Sequence, residues 1–231
     1  MHFIIELLPG LGLTLLIWLA IIAIGLPLGL ILGYGLAIGR AWIRIPVLAI
    51  VNIARGFPGL VLLYFVYSGL PDVGVYLSNF ASIIAAFAFI AAGYTAGIFR
   101  AAISSVPKAQ LEAASVLGLS YWKTQRLIVI PQAVKVVTPP LIGFSVVILQ
   151  ATSLGYAVGL RELTGLAYNL GSITFETLPY MIANGLIYLV LCVAISQFAV
   201  RLQRRNSRGR SRRAKAPVPS GTSFIRTIPA S

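Results

Sequence analysis

The sequence predicts an all-α integral membrane protein with five membrane-spanning helices, and three observations carry that prediction. Of 231 residues, 58% are hydrophobic and only 10% are charged, a composition that soluble domains of this size do not have. Mean hydropathy is +0.93. Runs free of Asp, Glu, Lys and Arg recur at Leu7 to Gly39, between Asp72 and Arg100, and between Lys135 and Arg161; each is longer than the roughly 20 residues that cross a hydrocarbon core of about 30 Å.

The first span is placed at about Leu11 to Ile38, with tilt taking up the excess length. The preceding MHFIIE has no basic region, which argues against a cleaved signal peptide. Gly25, Gly29 and Gly33 form a ridge of small residues in this span, read as close packing within the chain rather than as a dimer face. The second span, about Ile45 to Leu70, is interrupted by Asn52, Arg55 and Pro58. The third lies at about Leu77 to Phe99. The fourth runs from about Leu127 to Leu149, bent by Pro131 and Pro139-Pro140, because proline removes a backbone donor. The fifth runs from about Thr177 to Val200, which makes residues 1–200 a transmembrane domain.

Basic residues in short loops set orientation. Arg40 and Arg44 follow span 1, Arg100, Lys108, Lys123 and Arg126 follow span 3, and the tail after span 5 is densely basic. These segments share the cytoplasmic side, giving an N-out, C-in topology. The opposite side receives the His2/Glu6 terminus, the Asp72 loop and the Arg161 to Glu176 connection. From Arg201 onward the tail holds nine of the 18 basic residues and no acidic one. Its Ser, Pro and Gly content predicts disorder over 201–231, and its charge suits an anchor on anionic lipid, at about 1 kcal/mol per basic residue. The net charge of +13 is concentrated there, so it does not point to nucleic acid.

Catalysis is absent from the sequence. No G-x-x-x-x-G-K-[ST] phosphate loop and no H-E-x-x-H motif occur, the only histidine is His2, and Cys192 is the only cysteine. The chain is read as a non-enzyme with no metal site and no cofactor.

One polar stretch stands out between spans 3 and 4, LEAASVLGLSYWKTQRLIVIP, Leu111 to Pro131. Ser104 and Ser105 can cap a helix, Pro107 suits its first turn, and Gly118 is a natural stop, giving about three turns over 107–118. Ser120 can cap a second helix that rises into span 4. Ala109, Ala113 and Ala114 allow close approach by a partner, with Leu111 and Leu117 as apolar anchors. Two readings fit: a helix lying on the bilayer surface, or a docking element.

The spacing of this stretch resembles the coupling-helix signature of ABC importer permeases. Glu112-Ala113-Ala114, three residues, Gly118, nine residues, Ile128, one residue and Ile130-Pro131 follow the signature, with Ile130 where leucine is usual. NIARGFPGLVLLYFVYSGLP (Asn52 to Pro71), AGYTAGIFRAAISSVPKAQLEAA (Ala92 to Ala114) and ATSLGYAVGLRELT (Ala151 to Thr164) are similar to blocks of the polar amino acid subfamily. The resemblance covers about residues 10 to 205.

It implies a type I importer core of five spans in the bacterial inner membrane, working by alternating access. The implied partners are cytoplasmic ABC ATPase subunits, a periplasmic solute-binding protein and a second permease subunit, identical or related. Glu112, Ala113, Ala114, Leu117 and Gly118 would couple to the ATPase. Candidates for the translocation pathway are Asn52, Arg55, Tyr94, Gln150, Thr152 and Ser153; Asp72 and Glu162 are candidate binding-protein contacts. Two of these assignments have a structural alternative: Arg55 as a cap on carbonyls at a helix break, and Gln150, Thr152 and Ser153 as a packed turn. The chain departs from the family pattern at Gly97, where glutamate is common, at Gln150-Ala151, where Lys-Asp is usual, and at Ala109, where glycine is usual. A secondary transporter driven by an ion gradient is the rival class, but it is expected to carry carboxylates within its spans and internal repeats, and neither is visible.

Overall fold

The first apolar run folds as one long helix, α2 (Leu8–Ala37), after a short α1 (His2–Glu6) that the sequence pattern did not announce. The computed structural model describes residues 2–37 and 40–214. The second run is broken. Its halves, α3 (Ala41–Gly56) and α4 (Gly59–Val73), meet at an angle of 102°. Pro58 causes the break, because the residue before a proline is pushed out of the helical region: Phe57 has φ −77°, ψ 131° and Pro58 has φ −61°, ψ 134°.

The third span is α5 (Asn79–Ser104), started by the Ser78 hydroxyl, which accepts the Ala81 N–H at 3.2 Å. A short α6 (Lys108–Val116) follows. The fourth span, α7 (Tyr121–Val158), begins six residues before the predicted Leu127. It passes Pro131 through a π turn at Gln125–Val129, the wider winding that accommodates a missing backbone donor without ending a helix. Its last residues, Thr152–Val158, tighten to a 3-10 helix. The connection predicted after it contains a further helix, α8 (Leu163–Thr174), before α9 (Thr177–Ala214). Four of these helices are long and apolar enough to span a membrane, and the α3–α4 pair makes a fifth if counted as one span.

The basic segment expected to be disordered from Arg201 is helical as far as Ala214; extending an existing helix avoids the cost of nucleation, and arginine, glutamine and alanine favour it. The remainder of that expectation, residues 215–231, lies outside the described residues. The expected serine caps are also corrected. Ser104 ends α5 and the Ser105 hydroxyl donates to the Ala102 carbonyl at 2.7 Å, so both belong to the end of span 3. Pro107, not a serine, occupies the N-cap of α6, and Ser120 makes no side-chain bond to its helix.

The α2–α5 seam holds the molecule together. Gly25 faces Ala88 and Ala91, Gly29 faces Ala92 and Thr95, and Gly33 faces Ala96 and Phe99, so the glycine ridge packs within the chain as its spacing predicts. A Cβ at Gly25 would stand 2.7 Å from that of Ala91. Between membrane helices lipid removes the hydrophobic driving force, and this close approach supplies van der Waals contact instead. Ile17 and Ile21 of α2, Leu62 and Leu63 of α4, Ile83 and Phe87 of α5, and Ile148 of α7 complete the core. Hydrogen bonds mark the two ends of the bundle. The Tyr34 and Tyr121 hydroxyls pair at one, while Glu6 with Tyr180, and the Thr14 hydroxyl with the Leu163 N–H at 3.0 Å, join the other.

Candidate functional site

The α6 segment stands at the Tyr34/Tyr121 end, tied at both sides to spanning helices. Its closing turn follows from Gly118, whose φ of +70° is the left-handed conformation that glycine adopts without strain. The Gly118 N–H reaches the Ser115 carbonyl at 2.9 Å and the Leu119 N–H reaches that of Ala114 at 3.0 Å, the paired bonds of a Schellman cap. Across the turn, the Gln132 amide on α7 donates to the Gln110 side-chain oxygen at 2.6 Å and to the Ile128 carbonyl at 3.0 Å. The bond to Gln110 ties α6 to span 4. Glu112 and Ala113 are exposed, and Val116, Leu117 and Trp122 are 88%, 78% and 75% exposed. Ala114 is corrected: at 1% exposure it packs against its own chain and offers nothing to a partner.

Toward the middle of the bundle, Arg55 lies in the last turn of α3, one residue before the helix ends. Its guanidinium carbon sits 5.2 Å from the centroid of the Tyr94 ring on α5, a cation–π distance. Tyr94 in turn stacks on Phe144 of α7, with centroids 5.6 Å apart and planes inclined by 25°. Arg55, Asn52 and Tyr94 are all exposed. A carbonyl cap is not how Arg55 is used in this geometry; its guanidinium carbon lies over an aromatic face.

The residues after span 4 divide. Thr152, expected to line a pathway, is fully buried; its hydroxyl donates to the Leu149 carbonyl at 2.7 Å and lies 3.3 Å from the Tyr188 hydroxyl. That is the packed-turn alternative. The Ser153 hydroxyl returns to the Gln150 carbonyl at 2.7 Å, while the exposed Gln150 reaches the Cys192 sulfur at 3.7 Å.

Glu162 is the larger correction. Expected on the surface, it is 0% exposed and caps α8 from outside the spanning helices, accepting the Thr164 and Gly165 N–H groups at 2.8 Å each and the Tyr188 hydroxyl at 3.3 Å. Burial pushes its carboxyl up to about 7, against the lowering effect of those bonds. A carboxylate closed in by its own helix start and by α2 cannot touch a docking protein. Asp72 does remain exposed, in the turn that ends α4.

Phe144, Gln132 and Tyr188 were not singled out from the sequence. Gln132 offered a signal, a polar residue directly after Pro131 where the polar stretch ends; Phe144 and Tyr188 are indistinguishable by pattern from lipid-facing aromatics.

The model for the binding-protein-dependent transport system inner membrane component family matches residues 25–208. The chain is 35% identical over 196 residues to the probable amino-acid ABC transporter permease YckA of Bacillus subtilis (strain 168), covering 85% of this chain and 87% of that one. It is 31% identical over 199 residues to the glutamine transport system permease GlnP of Escherichia coli (strain K12), covering 84% and 90%. Among solved structures, a crystal structure of an amino acid ABC transporter with histidines superposes with a TM-score of 0.81 at 29% identity, over 87% of this chain and 94% of that chain. A match that spans the broken second helix, the α6 turn and the start of α9, with the fold shared throughout, means that the chain belongs to this family, the multi-pass permeases of ABC importers in the bacterial inner membrane.

Proposed function

We propose that this permease carries an amino acid, or a related small amine or carboxylate, inward by alternating access, driven by a cytoplasmic ATPase docked on α6. The single observation that carries the coupling is the built turn at α6: exposed Glu112, Ala113 and Leu117 beside a glycine-locked cap, braced to span 4 through Gln110 and Gln132. A helix merely resting on lipid has no need of a rigid link to two spans. The amino acid substrate is supported by the names of the relatives, which include amino-acid, glutamine and octopine permeases.

The remaining assignments follow. The topology is N-out and C-in in a type I core, with the α6 end cytoplasmic, where Arg40, Arg44, Arg100 and Lys108 also lie. Residues 1–200 form the permease domain, and the basic segment from Arg201 contacts anionic lipid. A second permease subunit, two ATPase subunits and a periplasmic binding protein complete the transporter. Asp72 belongs to the face that meets the binding protein. Asn52, Arg55, Tyr94, Gln150 and Ser153 line the pathway, since an unpaired charge within a span is tolerated only where it meets water or a partner.

Reconstitution tests this reading. The chain, co-expressed with its ATPase and binding protein and placed in proteoliposomes, is expected to give vanadate-sensitive amino acid uptake, and Glu112→Lys is expected to abolish uptake while the chain still inserts. Uptake that persists without ATP and follows an ion gradient would refute the assignment.

A further inference from the structure

We propose that the Glu162 carboxyl is a proton-binding lock on the outer end of the bundle: the closed end keeps the proton, and opening that end to water releases it. The proposal rests on the alternating-access reading, because it takes the α8 end as the one that opens toward the binding protein. Glu162 stands where several helices meet. From α2, a Cβ at Gly10 would stand 3.1 Å from the Glu162 carbonyl oxygen, and the Thr14 hydroxyl accepts the Leu163 N–H at 3.0 Å. From the end of α7, the Cβ position of Gly155 is 3.4 Å from Glu162 Cγ, and Ile83 of α5 stands 2.9 Å from the same point. From α9, the Tyr188 hydroxyl donates to the carboxyl at 3.3 Å and lies 3.3 Å from the Thr152 hydroxyl, while the Asn184 amide donates to the Thr164 hydroxyl at 3.3 Å. The start of α8 is seated on α2 and α9 through this carboxyl and the two residues that follow it.

None of these contacts brings a cation. Tyr188 is the one other titratable side chain that touches the carboxyl. Arg161 and Glu176 are exposed, and on α1 His2 pairs with Glu6 at 2.9 Å, the only ion pair among the described residues. A carboxylate sealed away without a cation is costly, and such a group takes up a proton instead. Burial raises the Glu162 carboxyl to about 7, against the N–H bonds of Thr164 and Gly165 and the Tyr188 hydroxyl, which favour the charged form. Parting α8 from α2 and α9 admits water and returns the carboxyl to its ordinary value of 4.5. Between these values the closed end binds one proton more than the open end, so opening gains about tenfold per pH unit. The proton leaves to, and returns from, the same side of the membrane. The lock sets the balance between closed and open and carries no proton across.

Hydrogen–deuterium exchange of the whole transporter in nanodiscs, this chain with its ATPase and binding protein, reads the opening at the Leu163, Thr164 and Gly165 amides. Their protection, corrected for the intrinsic pH dependence of exchange, is expected to fall by about tenfold per unit as pH rises toward about 7 and to level off above it, while the α5 amides between Ile83 and Ala96 keep theirs. Glu162→Gln, which stays neutral, is expected to remove the slope. Tyr188→Phe takes one bond from the seam and leaves the carboxyl, so it is expected to lower protection at every pH and keep the slope. Unchanged α5 protection shows that each variant has folded. A flat wild-type profile, or a slope that survives Glu162→Gln, overturns the lock. Trapping with vanadate and the loaded binding protein separates the lock from the reading beneath it. If trapping lowers protection at the start of α8 and pH does not, the lock fails and alternating access at this end stands; if trapping leaves that protection unchanged, this is not the end that opens and both fail.

Discussion

The α2–α5 seam makes a quantitative prediction for Gly29→Ala. A Cβ built at Gly29 collides with Thr95 Oγ1 and stands 3.0 Å from Thr95 Cβ and 3.1 Å from the Ala92 carbonyl oxygen. Turning the Thr95 hydroxyl away would sacrifice its 2.6 Å bond to the Ala91 carbonyl and would leave the other two contacts in place. The helices must therefore part, and such overpacking costs about 1–3 kcal/mol. Gly12→Ala is the matched control in the same helix, because nothing lies within 4 Å of its Cβ position. Both substitutions gain the same helix propensity of about 1 kcal/mol, so their difference isolates the seam. At roughly 2–4 °C per kcal/mol for a chain of this length, Gly29→Ala should unfold at least about 2 °C below Gly12→Ala when both are heated in detergent and followed by size exclusion. Adding Thr95→Ala should recover part of the loss. Equal stability of the two alanine variants would refute the seam.

Two further predictions concern the turn at α6 and the cap of α8. Gly118→Ala should loosen the α6 turn by about 1–2 kcal/mol, because alanine resists a φ of +70°, whereas Gly118→Asn should be milder; limited trypsin digestion at Lys108 and Lys123 reads the opening, and equal digestion of all three chains would contradict it. Glu162 should make stability fall as pH rises. Its carboxyl is raised from 4.5 to about 7 by burial, so between those values the folded chain keeps a proton that the unfolded chain releases. The contribution is fully present below pH 4.5 and lost by about pH 7; at about 1.4 kcal/mol per tenfold, this is on the order of 3 kcal/mol. Glu162→Gln should flatten that slope, and an unchanged slope would show that another group titrates.

Much of the architecture could be read from charge and periodicity. Spans are announced by apolar runs, and the α6 turn by one glycine and the spacing around it, because both are local properties of the chain. What escaped was tertiary. Glu162 is an unusual capping residue, so nothing in its neighbours marked α8, and its burial depends on α2 passing within reach. Thr152 lies where a helix leaves the bundle, and only the position of Tyr188 on another span decides that it packs instead of lining a path. The Arg55 site was half legible: a charge in a span called attention to itself, but its seat on Tyr94 and the space left by Gly97 require three helices to be in place.

The central claim is that α6 meets the ATPase, and the single cysteine makes a direct measurement possible. With Cys192→Ser removing the only thiol, Glu112→Cys can carry a short photocrosslinker in the assembled transporter. The account predicts that the label attaches only from the cytoplasmic side and that irradiation joins this chain to the ATPase subunit, with no such product when the ATPase is left out. Labelling from the periplasmic side, or a crosslink confined to lipid, would contradict it.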